Sequence, residues 1–123
     1  MTKPITDLLR ETSVELKEYW SHASEELETH TEDSLVQILE ILGDFSLRTE
    51  KIADATDPKA EFDALVADAF QRLHALNEAQ DNGLLETDER EMIAPFFDNV
   101  ALTLGIDPGA YEHQDVTYAV RDF

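Results

Sequence analysis

The sequence contains no cysteine. That removes disulfides, thiolate nucleophiles and cysteine-ligated metals, and it fits a reducing compartment. Basic residues are scarce: nine Lys and Arg stand against 28 Asp and Glu, for a formal net charge of −19. Nucleic-acid binding through phosphate neutralisation needs clustered cations, so this balance argues against it. An anionic membrane surface would repel the chain. No apolar run approaches the length of a bilayer span, and Met1–Arg10 lacks the apolar centre of a secretory signal. The expectation is a cytoplasmic protein. Internal repeats and low-complexity segments are also absent.

What is present is 123 residues, 42% of them hydrophobic, enough for a single domain over residues 1–123 with a core of its own. A folded monomer of this mass exposes about 6,700 Å². Its acids then stand roughly 15 Å apart on average, nearly two Debye lengths at physiological salt, so mean self-repulsion is largely screened. Residues 1–43, 44–82 and 83–123 carry net charges of −7, −5 and −7, with no run of like charges that would mark an acidic tail.

The periodicity is helical throughout. Ile5, Leu9, Thr12, Leu16, Trp20, Ala23 and Leu27 recur at spacings of three and four and share one stripe. Thr31 and Ser34 are capping candidates for a second helix. Leu35, Ile38, Leu39, Ile41, Leu42 and Phe45 make that helix apolar nearly all round, which predicts the most buried element. Asp57-Pro58 opens a third helix that places Phe62, Leu65, Val66, Ala69, Leu73 and Leu76 on one face, with Phe70 at its margin. Asn82-Gly83 should end it in left-handed conformation. Thr87, with Asp88 and Glu89 in the first turn, opens a fourth helix whose stripe is Met92, Ile93, Phe96, Val100 and Leu104, ended by Gly105. Pro95 predicts a kink or a late start. Val116, Ala119, Val120 and Phe123 suggest a last short helix capped by Asp115. The expected fold is all-α, an antiparallel bundle of four main helices plus a short C-terminal one.

Opposite the first apolar stripe lie Glu11, Glu15, Glu18, Glu25 and Glu32, sharing a solvent face provided the helix continues that far, and Glu26 and Glu28 thicken the patch. Neighbouring carboxylates there are about 6 Å apart, and each like-charged pair costs a few tenths of a kcal/mol. Such an array matches a basic protein surface and raises association rate and specificity. Affinity also needs an aromatic anchor. Trp20 falls on the core stripe, whereas Tyr19 at its margin is the better anchor, with Tyr111 and Tyr118 as further candidates. Glu11, Glu15, Glu18, Tyr19, Glu25, Glu26 and Glu32 are therefore the candidate partner-binding residues. Arg90 and Arg121 are expected to form intramolecular ion pairs.

No catalytic constellation emerges. His22, Glu26 and His30 are spaced i, i+4, i+8, and His74 with Glu78 i, i+4, but no Glu-x-x-His or His-Glu-x-x-His pair occurs. His22 and His30 also point about 80° apart on a helix. They read as boundary histidines, and no metal or cofactor is expected. Asp81-Asn82-Gly83 is a helix–helix turn, since its Gly comes too early for a calcium loop. No nucleophile or phosphate-cradling loop stands out, and an enzyme is not expected.

The stretch Gly83-Leu84-Leu85-Glu86-Thr87-Asp88-Glu89-Arg90-Glu91, then Gly105-Ile106, Asp115-Val116-Thr117 and Arg121-Asp122-Phe123, resembles the C-terminal half of small acidic bacterial immunity proteins that neutralise interbacterial toxins. The resemblance is confined to residues 83–123 and implies a cytoplasmic inhibitor of a toxin, without assigning the docking residues. Two functional expectations follow. One is a non-enzymatic acidic protein that neutralises a basic partner, either a toxin or a nucleic-acid-binding protein whose site is occupied by a DNA-mimic carboxylate array. The other is a salt-adapted, halophilic helical domain of unrelated function, enzymatic or not, suggested by uniform acidity and only four Lys.

Overall fold

The computed structural model describes residues 3–52 and 54–121. Four helices dominate: α1 (Ile5–Ala23), α2 (Glu32–Glu50), α3 (Pro58–Ala79) and α4 (Thr87–Thr103). No strand occurs among the described residues, and the fold is an all-α bundle. The short helix expected after Asp115 is not formed among the described residues: residues 116–120 are turns, preceded by two 3₁₀ turns, Pro108–Ala110 and Glu112–Gln114. Consecutive left-handed residues His113 (φ 56°) and Gln114 (φ 55°) interrupt any α-helical ladder there. Asp115 does cap the turn that follows, accepting from the Thr117 amide at 2.8 Å. Phe123, expected on that turn, lies outside the described residues.

Local chemistry explains most boundaries. At the start of α2, the Ser34 amide donates to Thr31 Oγ1 at 3.1 Å and the Thr31 amide donates to Ser34 Oγ at 3.0 Å, a reciprocal capping box. Asp57 accepts from the Ala60 amide at 3.1 Å, with Pro58 as the first residue of α3. Two helices close alike. After α4, Gly105 (φ 79°) is left-handed, the Ile106 amide reaches the Ala101 carbonyl at 2.8 Å and the Gly105 amide reaches Leu102 at 3.0 Å. After α3 the same pair of bonds runs from Asn82 to Asn77 (2.8 Å) and from Asp81 to Glu78 (3.1 Å). The left-handed residues are Asp81 and Asn82 rather than Gly83, so α3 stops at Ala79, earlier than expected. Asp and Asn tolerate that conformation because their short polar side chains bond locally.

The first helix is shorter than its periodicity suggests. It ends at Ala23, the chain turns through Ser24–Glu26, and Leu27 is 43% exposed instead of continuing the buried stripe. The chain must reverse before the Thr31 capping box can begin α2. Conversely, α4 does not start late: it begins at Thr87 and runs through Pro95, whose missing N–H leaves the Glu91 carbonyl without its ladder donor.

The helices alternate in direction. Thr103 at the end of α4 donates to the Lys3 carbonyl at 2.6 Å, and Tyr19 near the end of α1 meets Asp88 at the start of α4 at 3.2 Å. Arg48 and Arg72 cross-link α2 and α3 through Asp68 and Asp44. Close approaches are α1 with α2, α2 with α3 and α1 with α4. Between α3 and α4, phenylalanines fill the wider seam: Phe70 and Phe97 have ring centroids 4.9 Å apart, and Phe45 lies 4.6 Å from Phe97. Phe70, expected at the margin, is thus fully buried. The second helix is less enclosed than expected, with Val36 and Leu47 exposed and Leu35 and Leu39 half-buried.

Candidate binding face

Glu11, Glu15 and Glu18 project from α1 into solvent. Because α1 ends at Ala23, the anticipated single stripe divides in two. Glu25 and Glu26 sit in the exposed turn, and Glu32 is the exposed first residue of α2. Lys3 is paired with Glu11, while Glu15 and Glu18 have no ion pair among the described residues.

The antiparallel α4 adds a carboxylate that the α1 pattern does not reveal. Glu91 joins Glu11 and Glu15 around a cleft of about 330 Å³ between the two helices, whose walls include Leu8, Met92, Pro95 and Phe96, with Thr12 and Asn99 as neutral polar members. Of the four clefts described here, this one alone has three carboxylates and no base. The two along the α2–α3 seam carry Arg48, Lys51 and Glu61, or Arg72 and Glu40. The clue in the sequence is that Glu91 lies four residues before Pro95, so side chain and freed carbonyl are both acceptors.

At the far end of α1 the interior is unexpectedly polar. His30 is 1% exposed and Glu89 3%, with His30 Nε2 3.2 Å from Glu89 Oε1. Thr29 Oγ1 contacts His30 Nδ1 at 2.8 Å and donates to the Gly83 carbonyl at 3.2 Å. Glu89 Oε2 is buried without a hydrogen-bond partner among the described residues. His30 is therefore no boundary histidine: its ring packs 4.5 Å from Trp20, which is buried as expected and donates to Ser34 Oγ at 3.2 Å. Tyr19 closes this group. Its hydroxyl donates to Asp88, and its pKa is pushed up to about 12 by burial first, then by Glu89 and Asp88. Thr29, His30 and Glu89 have the connectivity of a nucleophile, base and acid, yet they line none of the four clefts.

On the other side of α4 a second cleft of about 330 Å³ faces the C-terminal turns and shares Glu91 and Pro95 with the first. Its walls include Arg90, Asp98, His113, Asp115 and Arg121. Asp98 accepts from the Val116 amide at 2.9 Å, and burial raises its pKa above the ordinary carboxylate value. Arg121 binds Asp115 at 2.8 Å, as expected. Asp115 is held below the usual carboxylate pKa despite its burial, by bonds from Thr117 and Arg121. Arg90 departs from expectation: the residue is half-buried and has no ion pair or hydrogen bond among the described residues. The left-handed His113 and Gln114 cost roughly 1–2 kcal/mol each, and the His113 ring packs 4.3 Å from Tyr118. Tyr111 pins the segment to α3 by donating to Asp63, with Lys59 over its ring at 4.6 Å.

Among the described residues no helix is long and apolar enough to cross a membrane, and no group of three or more His, Asp or Glu side chains is arranged to hold a metal ion. No protein-family model, curated protein or solved structure matches the chain.

Proposed function

We propose that the chain is a non-enzymatic, cytoplasmic binding protein that neutralises a basic partner protein, in the manner of a toxin-immunity protein or a DNA-mimic inhibitor. The observation that carries this reading is the α1–α4 cleft, where Glu11, Glu15 and Glu91 converge and no base lines the walls. Glu11 is held by Lys3, but Glu15 and Glu91 have no ion pair among the described residues and leave the partly apolar cleft negative, so a cationic side chain is attracted into it. Glu18 extends the field along α1, and the Glu25, Glu26 and Glu32 group flanks it. Tyr19 contributes by holding Asp88 and the start of α4 in place.

The direct test is a pull-down in low salt with high-salt elution, followed by stopped-flow association with the captured basic protein. Glu15→Lys with Glu18→Lys should leave the helical circular dichroism unchanged and lower the association rate by about tenfold or more. An unchanged rate would remove this face from the function.

A further inference from the structure

We infer that His30 and Glu89 form a proton-gated latch: closed, the pair holds one shared proton, and losing it to water above neutral pH releases the segment after α1 from the start of α4. The inference is independent of the proposed function and needs no partner. Its first support is the direction of the hydrogen bonds. A carbonyl can only accept, so the Thr29 hydroxyl directs its single proton at Gly83, 3.2 Å away. Thr29 Oγ1 must then accept from His30 Nδ1 at 2.8 Å, which places a proton on Nδ1. The 3.2 Å contact between His30 Nε2 and Glu89 Oε1 needs a proton of its own, because two bare lone pairs would repel. Whether that proton rests on nitrogen or on oxygen, the pair as a whole is neutral. The second support is burial. The two side chains are 0% and 3% exposed, and without the shared proton an anion would be left there, its Oε2 already lacking a partner among the described residues. The third is the surroundings. From α1, the Tyr19 and Trp20 rings lie 5.9 and 4.5 Å from the imidazole, and α2 adds the neutral Ser34, which accepts from Trp20. Tyr19, with its pKa pushed up to about 12, stays neutral well above pH 7. Glu86 and Asp88, exposed beside Tyr19 at the head of α4, disfavour a further buried negative charge.

Opening hands the pair to water, where a histidine ionises near 6.5 and a glutamate near 4.3. Above about pH 6.5 the open pair therefore carries one proton where the closed pair carries two. The closed state binds more protons, so it loses ground as the pH rises, by about tenfold per pH unit. Hydrogen exchange at the indole N–H of Trp20, the sole tryptophan, and at the Ser34 amide reads the opening once each rate is divided by its intrinsic rate at that pH. Between pH 7.5 and 8.5 the opening constant should rise about tenfold, while that of the Leu73 amide, in the middle of α3, should not follow. In Glu89→Gln the side-chain amide can donate to Nε2 of a neutral His30, with no shared proton to lose. Its opening constant should be flat over the same range, with the helical circular dichroism retained. A flat wild-type profile would overturn the latch, since it would mean that Thr29 donates to Nδ1 and the pair holds no second proton; this arm stands even if the variant does not fold. An equal slope at Leu73, or a slope that survives in Glu89→Gln, would overturn it as well. The proposed function is untouched by any of these results, because none involves a partner.

Discussion

Single side chains decide the connection between α3 and α4. Asn77 is 7% exposed, and its Oδ1 accepts from the amides of Leu84 (3.0 Å) and Leu85 (2.8 Å), so one side chain satisfies two buried donors of the connecting loop. Asn77→Ala orphans both and should cost about 2–4 kcal/mol in urea denaturation; a loss below about 0.5 kcal/mol would contradict that role. Two tyrosines set the alkaline limit. Tyr19 and Tyr111 are each raised from 10.0 to about 12, both chiefly by burial. A raised folded pKa means that the unfolded chain ionises first. Their contribution to stability is therefore complete below pH 10 and is lost as the pH climbs towards 12. Phenolate absorbance should show two groups ionising near pH 12, one disappearing in Tyr19→Phe and the other in Tyr111→Phe. Residue-level reading from one helix at a time placed Trp20 correctly inside. It misjudged Phe70 and His30, whose burial depends on Phe97 and Glu89 from a helix distant in sequence.

Helix starts were legible because capping is local: Thr31 with Ser34, and Asp57 with Pro58, sit where their side-chain chemistry demands. Helix ends were less so. Nothing in the spacing of Trp20, Ala23 and Leu27 announces that α1 stops at Ala23, and this stop separates Glu25, Glu26 and Glu32 from Glu11, Glu15 and Glu18. The C-terminal helix expected after Asp115 also failed to form: residues 116–120 are turns in which the Arg121 amide bonds the Thr117 carbonyl i→i+4, and the left-handed His113 and Gln114 just before them carry no glycine signature. Glu91 joined the cleft only through the pairing of α1 with α4. Pro95 gives the clearest element-scale prediction. It is exposed inside α4, so Pro95→Ala restores a donor to the Glu91 carbonyl and removes the ring's clash with it. The variant should be more stable by about 1–3 kcal/mol by thermal or urea denaturation, and no gain would show that the helix already accommodates the ring at little cost.

Taken whole, the molecule spends most of its few cations internally. Lys3, Arg10, Arg48, Lys59, Arg72 and Arg121 are bound to carboxylates, chiefly in exposed pairs of the kind worth at most about 1 kcal/mol each. The remaining negative charge is spread over all four helices. A partner-binding protein and a salt-adapted one then respond oppositely to salt. On the present reading the thermal midpoint shifts by only a few degrees between about 20 and 500 mM salt, while association with a basic partner slows steeply over the same range. Unfolding in dilute buffer, together with salt-indifferent binding, would identify halophilic adaptation instead.

The buried contact between His30 and Glu89 fastens the segment after α1 to the start of α4 from beneath, while Glu25, Glu26 and Glu28 ride above it in water. Foundation and ornament are thereby decoupled. Those outer side chains can be exchanged without disturbing a contact on which the architecture stands.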